Sequence, residues 1–402
     1  MSNSRGIAVS GLIISLVVAL PLAFGGDTGP LGAPGERVVH FPRHQSLGTL
    51  WIRDWASGKA WENFRKAKGD EKIPTGKELR LEVPEGRTRL WRAVLNEGLG
   101  IKVRLSPPPK LSPLAKLAPD DLQALVVHCG GLRARDLKHI RRLIGLRELD
   151  IAGEAVGDGA MVHIAGLTKL RKLDLSVTGV GDKGLAHLGG LSNLEGLLLH
   201  GNDIGDIGLA HLRGLIALRE LSLGYNHITD AGMPCLRGLT ALQKLYLGGN
   251  REVSGAGLVS LEDMRSLGRL DLHGTRVNDA GLVHLQQTTS LRELNLEGAD
   301  IGGEGLSYLE NLDSLRKLDL RATRVSDAPL IHLRRMTSLQ ELILEQTQVS
   351  DAGLVHLKAL ASLQELRLSY PGITRGALAE LQKALPTCKI YWGGLLRRWD
   401  EL

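Results

Sequence analysis

From Leu122 onward, apolar and polar positions alternate in a pattern that restarts at residues 122, 146, 170, 194, 218, 242, 267, 291, 315, 339 and 363. Nine of the ten intervals are 24 residues; the interval from 242 to 267 is 25, with the extra residue near Arg251 and Glu252. Each unit reads L-x-x-L-x-L-x-x-(T/N)-x-(V/I)-x-D-x-G-L-x-H-L-x-x-L. The L-x-L pairs, such as Leu173/Leu175 and Leu318/Leu320, have period two and predict a short strand with one buried face. The second half places Leu at i, i+3 and i+6, a stripe that predicts a short helix packed on that strand. The Asn or Thr of the ninth position (Thr178, Asn202, Asn226, Thr275, Thr323, Thr347) can satisfy backbone groups where the chain leaves the strand. The aspartates Asp158, Asp182, Asp206, Asp230, Asp279, Asp327 and Asp351 stand where the helix begins and are expected to cap it. One unit cannot bury its stripe alone, so the units must stack.

Spacing, Leu positions and the Asn/Thr position together resemble the leucine-rich repeat family over about 270 residues. The DxGL half is similar to the ribonuclease-inhibitor-like and F-box-associated branches and to arrays found in bacteria. The resemblance implies an α/β solenoid, a horseshoe with a parallel concave sheet and convex helices. It also implies a protein ligand on the concave face. The last unit departs from the pattern at Pro371 and Arg375 and ends in LPTCKIYW, which predicts a closing strand over the open edge.

The chain before the repeats has another texture. Residues 7–24 are an uninterrupted apolar run, followed by Ala23-Phe24-Gly25 as a candidate cleavage site. A cleaved signal peptide is preferred to an uncleaved membrane anchor, and either implies export; the membrane would be met only through this segment. Residues 26–46 read as a Gly/Pro-rich linker and 47–110 as a small β-rich unit holding four of the six Trp. Within that unit, SLGTLWIRDW, KIPTGKELRLEVP and GLGIKVRLSP read as strands and AWENFRKAKGDE as helix-like. The repeat array is expected over 111–392 and a tail over 393–402. The Trp side chains serve a core or, alternatively, an aromatic platform for sugar or peptide.

Composition narrows the function. Residues 1–110 hold 17 Lys and Arg against 10 Asp and Glu, whereas the remainder holds 33 against 34. The array is neutral, which argues against nucleic acid as a partner. Cys129, Cys235 and Cys388 are widely spaced and predict no intrachain disulfide.

Candidate chemistry centres on DAGLVHL, present at 279–285 and again at 351–357. Seven histidines (His139, His163, His187, His211, His284, His332, His356) share one slot, which also accepts Cys235, Ser260, Tyr308 and Glu380. Such mixed chemistry suits the border of a buried stripe better than a metal ladder, because helices stand roughly 8–10 Å apart and zinc ligands must reach about 2 Å. HExxH, GxSxG and Walker-type motifs are absent from the sequence, so neither enzyme activity, cofactor nor metal is expected. Acidic rows Asp150/Asp174 and Asp271/Asn295/Asp319 are a weaker calcium alternative.

A binding site is sought instead on the strand side, at the third, fifth, seventh and eighth positions of each unit. The third position alternates charge (Glu220, Lys244, Arg269, Glu293, Lys317, Glu341) and reads as a self-paired ladder. Leu198, His200, Tyr225, His227, Tyr246 and His273 fall together, flanked by Gly201, Gly224, Gly248 and Gly249, and resemble an aromatic hot spot. The expected function is a non-enzymatic protein-binding scaffold. A cytoplasmic F-box-type adaptor and a hydrolase seated in 47–110 are the alternatives.

Overall fold

The computed structural model describes residues 111–393, Cys129 and Tyr370 excepted, together with the backbone of seven strands before residue 106. The chain divides into two compact units, Met1–Asp174 and Leu175–Leu402.

In the first unit, strands Leu99–Leu105, Ala124–Val127, Glu148–Asp150 and Lys172–Asp174 run parallel in succession. Gly48–Asp54 lies antiparallel to Leu99–Leu105. A separate sheet joins Arg92–Asn96 to Glu36–His40 and to Arg80–Glu82. The strands expected between 47 and 105 are therefore present. Two local expectations change. Glu36–His40 lies in the stretch read as linker, and Glu62–Asn63, in the stretch read as helix-like, pairs with Trp51 and Ile52. In both cases a neighbouring strand takes the backbone hydrogen bonds, which local composition does not report. Ser15–Leu16 pairs with Gly48 and Thr49; the rest of the 7–24 run lies outside the described residues. Among those residues no helix is long and apolar enough to cross a membrane.

The second unit is a parallel solenoid. Strands Gly196–Leu198, Glu220–Ser222, Lys244–Tyr246, Arg269–Asp271, Glu293–Asn295, Lys317–Asp319, Glu341–Leu344 and Glu365–Leu368 pair in order, each registered one repeat on from the last. Lys389–Trp392 continues the sheet beside Glu365–Leu368, so the expected closing strand is a further parallel strand. Leu197, Leu221, Leu245, Leu270 and Leu294 line the core behind the strands, and the Leu stripe of each second half closes it, all at 0–2 % exposure. Each such Leu contributes about 1.5–3 kcal/mol by leaving water. The stripe rides on short segments: α-helical at Asp182–Leu185, Asp206–Ala210 and Asp351–Leu357, and 3₁₀ at Gly255–Leu261, Asp279–Leu285 and Ala328–Arg335.

The ninth position works as the pattern implies, and in two styles. Asn226 Nδ2 donates to Leu199 O and Leu223 O, both at 2.9 Å, while its Oδ1 accepts from Ile204 N at 3.1 Å. Asn202 and Asn250 repeat this brace, each tying its own turn to the preceding unit. Thr275, Thr323 and Thr347 donate only to their own unit, at 2.6–2.7 Å from Leu272 O, Leu320 O and Leu344 O. In the first unit Glu154 stands at this position, and its buried carboxylate accepts from Gly130, Gly131 and Leu132 N–H at 2.7–3.0 Å. The Asn/Thr consensus did not anticipate it.

The motif aspartates serve a different helix from the one expected. Asp182 accepts from Gly205 N (2.7 Å), and Asp206 from Thr229 N (2.9 Å) and Oγ1 (2.7 Å). Asp230 takes Ser254, Asp327 takes Ser350, and Asp351 takes Thr374, each through N–H and hydroxyl. Asp279 accepts from Gly302, Gly303 and Gly305 N–H at 2.9–3.1 Å. Each carboxylate thus binds the helix entrance of the following unit. Caps within a unit come instead from the preceding residue, as with Ser254, Asn278, Ser350 and Thr374. Asp158 holds the first position of Asp158–His163.

This reach also explains the third letter of D-x-G. A Cβ on Gly208, Gly232, Gly257 or Gly353 would collide with the Asp carboxylate of the unit before it. Where that unit carries Gly303 in place of Asp, the third letter becomes Pro329, whose ring occupies the space a Cβ on Gly303 would need. Packing, rather than helix propensity, sets this letter.

Candidate partner-binding face

The strand that opens each unit sends Leu inward, so its alternate residues face outward. The backbone then turns sharply, and the eighth position is left-handed in each unit from Gly153 to Gln346. Gly201, Gly249, Gly274 and Gly298 hold φ between 61° and 79°, as glycine does at little cost. Val177, Tyr225, Ala322 and Gln346 hold φ of 53–57° without that freedom. Such a conformation costs roughly 1–2 kcal/mol for a residue with a Cβ.

Tyr225 uses its position to present an aromatic ring that is 54 % exposed. Its ring lies edge-on to His200 (centroids 5.1 Å apart, planes at 66°) and tilted against His273 (5.4 Å, 51°). The floor under these rings is glycine. A Cβ on Gly249 would stand 2.8 Å from Tyr225 Cγ, one on Gly224 would stand 3.1 Å from His200 Nδ1, and one on Gly248 would fall inside the His273 ring. A hydrogen-bond chain orders the cluster: His273 Nε2 is 3.1 Å from Tyr225 Oη, and His273 Nδ1 is 2.9 Å from Asp271 Oδ1. The Asp271 hydrogen bond raises the His273 pKa above 6.5 against an opposing desolvation, with further help from the charges of Glu297 and Asp319. Asp319, 8 % exposed, is itself raised, chiefly by burial.

The six residues singled out from the sequence do not form one group. His200, Tyr225 and His273 meet. Leu198 and Tyr246 share one row across the strands with Ser222 and Asp271, through the registers Leu198↔Ser222↔Tyr246↔Asp271. Both are half-buried. Tyr246 Oη accepts from Arg269 Nη1 at 3.4 Å, the leading cause of a raised Arg269 pKa. His227 stands apart, exposed and 3.5 Å from Asp203 Oδ1. Two residues that the sequence does not assign to this cluster belong here; it marks Asp271 only as part of an acidic row. Val177, exposed and left-handed, leans on Gly201, whose Cβ would be 3.2 Å away, and Asp271 orients His273. A β-branched residue in the slot where neighbouring units place glycine was the available signal for Val177.

Beyond His273 the face changes character. Arg269 pairs with Glu293, Lys317 with Glu341, Arg321 with Glu345 and Arg367 with Glu365. The ladder expected at the third position is thus self-paired in this stretch. In the acidic row, Asp271, Asn295 and Asp319 each accept the N–H two residues on, at 2.9–3.1 Å. On the opposite side of the units, His284 and His332 contact Glu262 and Glu310 of the preceding unit, whereas His187 and His211 are exposed. Cys235 and Cys388 are buried free thiols, and burial pushes Cys388 up to about 12.

Stacked leucine strands, inter-unit braces and an outward strand face define a leucine-rich solenoid. Leucine-rich repeat family models match residues 192–251, 166–189 and 287–309. An internalin from Listeria monocytogenes is similar in fold, at 19 % identity and TM-score 0.54, over 72 % of this chain and 86 % of that one. TLR13, in a complex with ssRNA13, is similar at 19 % identity and TM-score 0.53, over 72 % of this chain and 43 % of that one. No curated protein matches the chain. The chain carries an array of leucine-rich repeats.

Proposed function

We propose that this protein is an exported, non-enzymatic scaffold whose partner, another protein, docks on the strand face around Tyr225. The observation that carries the reading is the ring cluster: His200, Tyr225 and His273 stand on glycine, with Tyr225 held at φ 53°. A residue kept exposed in a strained conformation is better explained by what it touches outside the chain than by the fold. Tyr at the centre of small neighbours is also the usual composition of an interface anchor. Neutral charge across the repeats supports a protein ligand over nucleic acid, and the apolar run 7–24 supports export.

The test is site-specific photo-cross-linking in intact cells, with the probe residue at position 225 or 246 and a control at Val355 on the opposite side. A partner captured from 225 and 246 and not from 355 supports the reading. Capture from 355 alone, or from none of the three, overturns it. A C-terminal tag found in the cytoplasm would remove the export half.

A further inference from the structure

We propose that Asp271, His273 and Tyr225 form a proton-gated seat for a cationic side chain of the partner, filled when His273 is neutral and vacated when it is protonated. The inference rests on the protein-binding reading above and adds the partner's chemistry and its control.

The hydrogen-bond chain has only one consistent proton arrangement in each state. A carboxylate only accepts, so the 2.9 Å contact to Asp271 Oδ1 requires a hydrogen on His273 Nδ1. In neutral His273, Nε2 therefore carries the lone pair and accepts the Tyr225 O–H across 3.1 Å. The Tyr225 oxygen then turns its own lone pairs outward and offers a partner an acceptor. In protonated His273, Nε2–H donates to Tyr225, the phenol hydrogen points outward, and the patch offers a donor beside a positive ring. One proton thus reverses both the polarity and the charge met by an arriving side chain.

The surrounding groups decide which polarity the partner matches. Facing His273 are Asp271 from its own repeat, Glu297 and Asp319 from the following repeats, and Tyr225 from a preceding one, which in turn carries His200. The nearby cations are engaged elsewhere: Arg269 with Glu293 and Tyr246, Lys317 with Glu341, Arg321 with Glu345. The Glu297 carboxylate has no hydrogen-bond or ion-pair partner among the described residues. With His273 neutral the patch is an acceptor ringed by carboxylates, complementary to arginine or lysine. With His273 protonated, the seat already holds a cation. The same carboxylates raise the His273 pKa, which places the gate above the ordinary 6.5.

Two cations that exclude each other are linked: partner affinity rises with pH, by at most about tenfold per unit, until His273 is neutral, and is then flat. The probes are an end-blocked Gly-Arg-Gly-Arg-Gly peptide and its uncharged citrulline counterpart, titrated calorimetrically into the full chain from roughly pH 5.5 to pH 8.5. The arginine peptide is expected to bind at least about tenfold more tightly at the upper end, and to lower the His273 pKa read by imidazole NMR. The citrulline peptide should do neither. His273→Gln should bind the arginine peptide with no pH dependence, and Tyr225→Phe, which keeps the ring and loses the oxygen, should bind it weakly throughout. Arginine affinity that is flat or rises on acidification, or equal binding of citrulline, overturns the proposal. Cross-linking from position 225 beside flat peptide affinity would leave the binding face standing and remove the gate; gated peptide binding without cross-linking would remove the protein partner and keep the seat.

Discussion

Two stretches of one solenoid face use the same strand in opposite ways. Between Gly196 and Gly249 the outward side chains include a group of rings over glycines beside one ion pair, Glu220 with Lys244, and the turns beneath are braced by Asn202, Asn226 and Asn250. Between Arg269 and Arg367 the outward side chains include acids and bases that pair from one repeat to the next, with Arg367 and Glu365 pairing within one strand, and the turns rest on Thr275, Thr323 and Thr347. Half-exposed ion pairs typically contribute no more than about 1 kcal/mol each. The second stretch therefore spends its outward positions on neutralising itself. The first stretch secures its turns from inside and, apart from the Glu220–Lys244 pair, leaves its outward rings outside the charge ladder. Where a repeat is braced from within, its surface is released for other work.

The largest effect should come from the brace itself. Asn226→Ala deletes four inter-unit and turn contacts in a buried site and strands Ile204 N–H, while Leu199 O keeps Asn202 Nδ2 and Leu223 O keeps Asn250 Nδ2. It should cost about 3 kcal/mol or more in urea unfolding, whereas Thr275→Val should cost about 1 kcal/mol. Equal losses would dissolve the distinction between the two stretches.

Next is the coupling of Asp and Gly. Gly232→Ala should destabilise by about 1–3 kcal/mol, because its Cβ would press on the Asp206 carboxylate and Cα. Combining it with Asp206→Gly should recover part of that loss, as Gly303 and Pro329 accommodate each other in the second stretch. Additive losses in the double variant would show that the two sites are not in contact.

Strain at the eighth position gives a third contrast. Tyr225→Gly and Ala322→Gly should each stabilise by up to about 1 kcal/mol in thermal unfolding, since both native residues hold positive φ. Only Tyr225→Gly should abolish partner capture from position 246. If both variants retain capture, Tyr225 is strained for a reason other than binding.

The smallest effect is in pH dependence. His273 has a folded pKa above its unfolded value, so the stability it contributes is fully present below about 6.5 and is lost as pH rises through the folded pKa. Comparing unfolding of the wild type with His273→Gln across that window should show this slope in the wild type and its absence in the variant. An opposite slope would contradict the Asp271 hydrogen bond as its cause.

The repeat register, the buried Leu positions and the parallel sheet were legible because a period of 24 residues with L-x-L pairs admits one way of burying its apolar face. The turn residues were legible for the same reason, down to Asn226 and Thr275. The direction of the aspartates was not. A carboxylate at a helix start satisfies the capping pattern equally well in its own unit or in the next, and only stacking distance selects Gly205 for Asp182 or Ser350 for Asp327. Of the six candidate residues on the face, the ring trio was separable from His227 only once the turn at Tyr225 was seen to be left-handed.

DAGLVHL marks the boundary between what the sequence determined and what the tertiary structure decided. The sequence determined that the heptapeptide is helical, that Leu282 and Leu354 are buried, and that it recurs on one side of the solenoid. Tertiary structure decided which helix it becomes: 3₁₀ at Asp279–Leu285, where Gly255 of the preceding unit approaches Gly281, and α at Asp351–Leu357, where Asp327 holds Ser350. It also decided that residues 48 positions apart, Tyr225 and His273, share a hydrogen bond. The reason is the same in both cases: spacing along the chain sets what each unit can bury, and contact with the neighbouring unit sets what its polar groups can reach.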